Sequence, residues 1–312
     1  MSECAFFSLL LNAVHSLMHV SNCGFYELCE RRGYLRRYKM ERKPHLQPSD
    51  DLVRGLQLHN VFAQLLGGPI LTYFLLAPAF AWCGMHSMDA PLPSTPTMAL
   101  TFVTAHLSND LGFYATHRLG HTRLFYRFHK KHHEFKGPIA AAAEHAGPLE
   151  SLLSNLLPTM AGVMFLPTHP LCVVAWFALR LHQAYENHSG YCFEGSLADR
   201  LWLTHGNAAA HHDFHHTANT GNFGVGMWTD WLFGTMDQYQ RLGGFEGYLG
   251  RVKAKATAAD AKTDAARPLP SGTFWGNLAP SWDMAATSAS LGISELRGMG
   301  VDERSLHSSL LN

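Results

Sequence analysis

Histidines recur at helical spacing in three places, and this pattern limits what the chain can fold into more than any other feature. The first place reads His117-Arg-Leu-Gly-His121, the second His129-Lys-Lys-His132-His133, and the third His211-His212-Asp213-Phe214-His215-His216. Residues three or four apart on a helix lie on one face, about 5–6 Å apart at Cβ. His117 and His121 therefore share a face, as do His129, His132 and His133, and likewise His212, His215 and His216. Imidazole is the commonest protein metal ligand and suits iron, zinc, copper and nickel. A lone histidine is ordinarily a surface or packed residue, but eight in three spaced clusters are expected to converge on metal. One zinc takes about four ligands, and no Cys-x-x-Cys pair stands nearby. Two metals sharing eight or more imidazoles fit better. An all-imidazole shell can hold ferrous iron and leave positions open for oxygen, although spacing alone does not name the metal.

The chain has 312 residues, enough for one large domain or two small ones. Its 24 basic and 24 acidic residues balance, so no general affinity for nucleic acid is implied. The 21 histidines are the compositional anomaly. The cysteines (Cys4, Cys23, Cys29, Cys83, Cys172, Cys192) carry no pairing motif, so free thiols are expected rather than a disulfide framework. No cleavable signal peptide is expected: residues 5–20 are apolar, but no basic segment precedes them.

Apolar stretches alternate with basic ones. Residues 5–22, interrupted by His15 and His19, read as a short membrane segment or a buried helix. A basic patch follows: Arg31, Arg32, Arg36, Arg37, Lys39, Arg42 and Lys43. From Gly55 to Met88 there is no charged residue. About 20 helical residues span a bilayer core, so this run suffices, with kinks expected at Pro69 and Pro78. The proline-rich segment 84–97 is a turn without Lys or Arg. A second apolar run, 98–115, returns and delivers Asp110, Tyr114 and the first histidine pair. Arg118, Arg123, Arg127, Lys130, Lys131 and Lys136 follow. By the positive-inside rule both basic regions face the cytosol and 84–97 faces away. Ser151 to Leu179 is again free of charge and is broken by Pro167-Thr-His-Pro170. This reads as a second hairpin into the bilayer. The alternative is a pair of buried helices in a soluble protein. On the hairpin reading the histidine clusters and His188 lie on one face of the membrane, and the sequon Asn187-His-Ser189 is discounted as cytosolic. Residues 254–312, rich in Ala, Ser, Thr and Gly, are expected to be mostly disordered. The expected fold is an all-α membrane protein: transmembrane helical hairpins with a cytosolic-facing, histidine-rich helical di-metal domain. Residues 1–50 form an N-terminal segment, 51–240 the membrane-embedded histidine-box domain, and 241–312 a polar, disordered tail.

The boxes resemble those of the fatty acid hydroxylase/sterol desaturase superfamily of membrane di-iron oxygenases. The matching residues are His-x3-His at 117–121, His-x2-His-His at 129–133 and 212–216, His188-Ser-Gly-Tyr191, Asn222-Phe-Gly224 and Trp231-Leu-Phe-Gly-Thr235. The likeness covers roughly residues 30–240. Within the superfamily the text is most similar to C-4 methylsterol oxidases, through Leu35-Arg-Arg-Tyr-Lys39, His129-Lys-Lys-His-His-Glu-Phe135 and Ala143-Glu144…Pro148-Leu-Glu150. Family members usually carry a histidine immediately before that proline, where this chain has Gly147, and a histidine stands at His145 instead. Either His145 takes its place or one ligand is absent. Residues two apart do not share a helix face, so replacement requires an irregular backbone.

The resemblance implies two irons held by His117, His121, His129, His132, His133, His188, His212, His215 and His216, with His145 as the tenth candidate. It implies O2 as co-substrate and NAD(P)H-derived electrons delivered by cytochrome b5 or its reductase. It further implies oxidation of a sterol 4-methyl group in the endoplasmic reticulum membrane. The alternative is a sister activity: C-5 sterol desaturation, sterol side-chain hydroxylation or fatty acyl hydroxylation. A non-enzyme reading is a metal-storing or degenerate membrane protein. Metal-bound histidines usually donate their other N–H to a carboxylate or carbonyl. Asp110, Glu144, Glu150 and Asp213 are the candidate partners, with Asp213 and Glu144 put forward as catalytic and Asp213 favoured as lying inside the third box. The basic residues around the second box suit an acidic electron donor or, equally, anionic lipid.

Overall fold

The computed structural model describes residues 2–41, 46–85, 87–166 and 168–250. Among them the chain is helical throughout, and the one β-type contact is an isolated bridge between Lys39 and Tyr191. Helix α1 runs Glu3–Arg32: Ser2 caps its start by accepting from the Ala5 N–H at 3.2 Å, and Gly33, at φ 66°, closes its end. Arg31 and Arg32 sit where the helix dipole favours positive charge. Helix α2 runs Asp50–Trp82, capped by Ser49 with Asp50 and Asp51 in its first turn. Both helices are long and apolar enough to cross a membrane. Leu65, Phe74 and Trp82 on α2 are 70%, 74% and 89% exposed, so its outer side is an apolar surface of the kind a bilayer covers.

The prolines expected to kink α2 do not interrupt it. Stretches of π-helix at Ala63–Gly67 and Thr72–Leu76 end two residues before Pro69 and Pro78. Ahead of each proline the backbone bonds five residues back, Gly68 to Ala63 and Ala77 to Thr72. The widened turn makes room for a ring that has no N–H to donate. The same arrangement, Ser151–Leu156 before Pro158, appears in α4 (148–165).

Helix α3 (Thr95–Gly120) brings the chain back, α4 enters again, and α5 (Pro170–His188) returns. Helix α4 packs along α3 at Gly162, where a Cβ would lie 2.5 Å from the Ala105 Cα. Helix α1 packs along α5, with His19 against Tyr185, and its Tyr26 packs on Tyr191 just past the end of α5. The end of α1, the start of α2 and the ends of α3 and α5 thus meet at one end of the bundle. The connections that follow α3 and α5 cover that end, and they carry the histidines. Helix α6 (Ala208–Ala218), buried along its whole length, threads through the middle of this cap, followed by α7 (Met227–Phe233) and α8 (Asp237–Arg241).

The packed body continues past residue 240, where the polar tail was expected to begin. Leu242 and Tyr248 are buried against Phe214 and Met40, and the Tyr248 hydroxyl donates to Asp213 at 2.7 Å. The expected disorder of 254–312 lies outside the described residues. All six cysteines are free.

Candidate metal centre

Nine box histidines come together in two adjacent groups. His117, His121, His129, His133 and His215 form one; His132, His188, His212 and His216 form the other; within each the ligand atoms lie within 4.8 Å of one another. The groups touch, with the His133 and His216 ring centroids 4.8 Å apart. His117 sits in the last turn of α3 and His121 just past it. His188 ends α5.

The second and third boxes each divide between the groups rather than presenting one face. His129 and His133, four apart, go together, but the chain passes from a short helix, Tyr126–His129, into a 3-10 turn, His132–Glu134, which points His132 the other way. In α6, His212 and His216 are four apart and face the second group. His215, three residues from His212, falls on the opposite flank and faces the first.

Hydrogen bonds on Nδ1 settle the tautomers of His117, His129, His188 and His215. His117 Nδ1 lies 2.6 Å from the Phe223 carbonyl, His215 Nδ1 2.6 Å from the Gly221 carbonyl, and His188 Nδ1 2.8 Å from the Ala184 carbonyl. A carbonyl only accepts, so each of these nitrogens carries the proton. The His129 Nδ1 donates to Glu150 at 2.6 Å, and the His121 ring bonds the backbone of Asn219. Residues 219, 221 and 223 therefore fix three imidazoles of one group. Positive φ at Asn219, Gly221 and Asn222 (55°, 61° and 52°) lets alternate carbonyls turn inward.

With Nδ1 protonated, Nε2 presents a lone pair. The His133 Nε2 lies 2.9, 3.1 and 3.2 Å from the Nε2 atoms of His129, His121 and His215. One nitrogen cannot serve three neighbours by hydrogen bonding. A cation held at about 2.0–2.1 Å by imidazole nitrogens at right angles sets them about 3 Å apart. In the second group His212 Nε2 lies 2.9 Å from His188 and 3.1 Å from His216, and His188 lies 3.3 Å from His132. Both donor sets fit a metal ion. Burial, reinforced for most by neighbouring imidazoles, holds His133, His212, His215 and His216 well below the usual histidine range, and lowers His129 and His132 to about 3. Neutral imidazole is the form that binds metal.

Asp230 organises the loop behind these carbonyls. It accepts from the N–H groups of Phe223 and Gly224, both at 2.7 Å, and from the Thr235 hydroxyl at 2.7 Å. The buried His211 faces it at 3.4 Å and takes no place in either group. Gly224 is required here: a Cβ would sit 2.1 Å from the Thr229 hydroxyl oxygen.

The other residues singled out from the sequence lie elsewhere. His145 is in neither group; its Nε2 donates to Glu134 at 2.8 Å and its ring packs on Phe135. The backbone leaves the 3-10 turn Ala140–Glu144 at His145, whose ring also stands edge-on to His59 at 6.0 Å. Gly147 caps the helix that carries Glu150. Glu144 joins a separate polar cluster, accepting from His15 at 2.9 Å, His19 at 3.3 Å, Gln64 and the Tyr185 hydroxyl. Burial pushes its carboxyl up, but His15 and His19 more than offset this and hold it well below the usual carboxylate range. Asp213 accepts from Tyr248. Asp110 accepts from Trp228 at 2.6 Å and Asn109 at 3.0 Å, while Arg118 bonds Tyr114. Three further metal-type donors, His182, Glu186 and His205, also lie together. There Glu186 already accepts from the backbone N–H and Nδ1 of His205, at 2.7 and 2.8 Å.

A cavity of about 30 Å³ opens onto both groups. It is lined by His117, His129, His132, His188 and His212, by Phe113, Ala143, Ala184 and Val225, and by Glu150, Ser154, Asn155, Arg180 and Asn187. Neither Arg180 nor Asn187 stood out in the sequence as site residues. A larger, mostly apolar groove of about 610 Å³, between α1 and residues 193–204, touches none of the nine imidazoles.

The profile of the fatty acid hydroxylase family matches residues 102–235, which contain every box. The chain is similar to a fatty acid hydroxylase of Mycosarcoma maydis, 30% identical over 80% of this chain and 65% of that protein. It is similar to a C-4 methylsterol oxidase of Schizosaccharomyces pombe, 33% identical over 73% of this chain and 76% of the relative. A very-long-chain aldehyde decarbonylase of Oryza sativa is 31% identical over 70% of this chain and 81% of its own length. The chain thus spans just under two thirds of the Mycosarcoma maydis protein. No solved structure matches it.

Proposed function

The chain belongs to the fatty acid hydroxylase family, and from that premise we propose that it is a membrane di-iron oxygenase acting on a sterol 4-methyl group. It is an oxidoreductase of the methylsterol monooxygenase-like kind. The observation that carries the reading is the pair of adjacent imidazole groups opening on one small cavity. His117, His121, His129, His133 and His215 would hold one iron, and His132, His188, His212 and His216 the other. Two bound irons would supply activation of O2 toward an unactivated C–H bond.

The residues around the groups do the rest. Glu150 and the carbonyls of Asn219, Gly221 and Phe223 orient the imidazoles and keep their Nε2 atoms unprotonated. Phe113, Ala143, Ala184 and Val225 line the cavity with apolar surface, which excludes bulk water from the reacting carbon. The cavity admits the end of a lipid and not its body. The cytosolic side of the endoplasmic reticulum membrane suits the basic segments on the box-bearing end. Arg123, Arg127 and Lys130, exposed beside the second box, suit docking of an acidic electron donor such as cytochrome b5.

The test is a sterol profile from a yeast strain lacking its own C-4 methylsterol oxidase and expressing this chain. A fall in 4-methylsterols with the appearance of demethylated sterols is the expected result. Persistent 4-methylsterols, with the protein present in the membrane and loaded with two irons, would overturn the sterol assignment.

A further inference from the structure

Arg180 lies two turns before His188 on α5 and lines the same cavity as five of the nine imidazoles. It is only 8% exposed. Its Nε donates to Asn109 Oδ1 at 3.0 Å, and the Thr159 hydroxyl, which donates to the Asn155 carbonyl at 2.7 Å, lies 3.1 Å from the same Asn109 oxygen. Asn109 Nδ2 donates in turn to Asp110 Oδ1 at 3.0 Å, and Trp228 holds the other Asp110 oxygen. The counter-charge therefore reaches the guanidinium through an amide rather than by a direct ion pair. The side chain is held in place while most of its five N–H donors stay uncommitted.

Its Nη1 is buried with no acceptor among the described residues. Asn187 and Glu150 line the same cavity, and their Oδ1 and Oε2 atoms are buried with no donor among the described residues, while the rest of the Glu150 carboxyl serves His129 Nδ1 and the Gly147 N–H. Native proteins leave few buried polar atoms unpaired, because each such atom has given up water without gaining a partner. One donor and two acceptors around one space call for a guest that both accepts and donates. A hydroxyl does both. A carboxylate only accepts, and leaves Asn187 and Glu150 unserved. The volume agrees: at about 10–15 Å³ for one water, some 30 Å³ holds a group of one or two heavy atoms.

We propose that Arg180, with Asn187 and Glu150, forms a subsite that binds the hydroxyl of an alcohol-bearing lipid and so presents the neighbouring carbon to the two imidazole groups. This rests on the lipid-oxidising function proposed above, and it names the feature by which the lipid is recognised. Arg180 donates to the hydroxyl oxygen, and the hydroxyl in turn donates its hydrogen bond to the amide or carboxylate oxygen.

The experiment measures binding rather than turnover. The full-length, iron-loaded protein in lipid nanodiscs is titrated with 4-methylcholestan-3-ol, with its 3-deoxy analogue and with palmitic acid, and iron content is measured alongside. The wild type is expected to prefer the alcohol over the deoxy compound roughly tenfold or more, the scale of one hydrogen bond to a charged group. R180Q is expected to abolish that preference while iron content and affinity for the deoxy analogue stay unchanged. R180K, which keeps the charge within the bundle, is expected to retain a reduced preference and covers the case in which R180Q fails to accumulate. The proposal is overturned if R180Q or R180K prefers the alcohol as strongly as wild type. Equal loss of both lipids, or palmitic acid binding as tightly as the alcohol, overturns it too. An alcohol bound with the expected preference but never oxidised counts against the proposed function alone. Oxidation with no hydroxyl preference counts against this subsite alone.

Discussion

His117 donates its Nδ1 proton to the carbonyl of Phe223 at 2.6 Å, across 106 residues of sequence. Asp230 holds that carbonyl in position by accepting the Phe223 and Gly224 N–H groups. A carboxylate that touches no box imidazole of either group thus sets the direction of one. Outer partners of this kind are typically worth about 10–100-fold in metal affinity. D230N replaces one acceptor oxygen with a donor and is expected to weaken iron retention about tenfold, with the helical content unchanged. Iron per chain after dialysis against graded chelator is the readout, and wild-type retention in D230N would refute the link.

Glu150 acts directly on His129 at 2.6 Å. E150A removes the acceptor and is expected to cost about 10–100-fold in iron affinity. E150Q keeps one oxygen that can accept from Nδ1 and is expected to fall between E150A and wild type. Equal losses in the two variants would show that charge, rather than orientation of the ring, is what His129 needs.

Acid should destabilise the metal-free protein and strip the loaded one. His129 and His132 are lowered from the usual 6.5 to about 3 by burial. Above 6.5 the unfolded and folded chains are both neutral at these positions and the fold is fully stable. As pH falls from 6.5 toward 3 the unfolded chain takes up protons that the folded one refuses, and stability is lost. Glu150 and Asp230, raised by burial to about 7 and 6, work in the opposite direction over part of this window. The lowered imidazoles outnumber them. Chelator-treated protein is expected to unfold at lower denaturant concentration at pH 5.5 than at pH 7.5. The reverse order would mean that the carboxyls govern.

Much of this was legible because it is local. Apolar run length located α1 and α2, and the three boxes marked the residues that meet. Helical spacing could not say which imidazole joins which group. That depends on the 3-10 turn at His132 and on α6 lying between the two groups. The partners of His117, His121 and His215 are backbone carbonyls, which carry no side-chain signature. Glu144 was read as a partner of the boxes, yet its partners His15 and His19 lie more than 120 residues away. Two histidines four apart inside an apolar run were the available sign. Arg180, a lone charge following an uncharged run and eight residues before His188, was a similar one.

Charge reversal tests whether the basic residues beside the second box dock the proposed electron donor. Arg123 and Lys130 are exposed, whereas Lys131 is half-buried and donates to the Ala146 carbonyl at 3.3 Å. Arg123→Glu with Lys130→Glu is expected to slow reduction by cytochrome b5 severalfold at low ionic strength and little at high, since screening shortens to about 3 Å at 1 M salt. A salt-independent change would leave anionic lipid as the reason for these charges.

Gly147 offers a last test of whether nine imidazoles suffice. Its φ of −75° and ψ of 159° are open to any L-residue. A Cβ there would meet only the Phe128 carbonyl oxygen, at 3.6 Å, an ordinary contact. Gly147→His therefore places an imidazole where relatives of this kind were expected to carry one, without backbone strain. Both groups already have four or more converging nitrogens, so iron stoichiometry is expected to stay the same and chelator resistance to change less than about twofold, within the reach of a single surface-type substitution. If iron per chain instead rises in G147H, one group is short of a ligand in the natural chain. His15→Ala, at the separate Glu144 cluster, is the control, since it changes a half-buried histidine without touching either group.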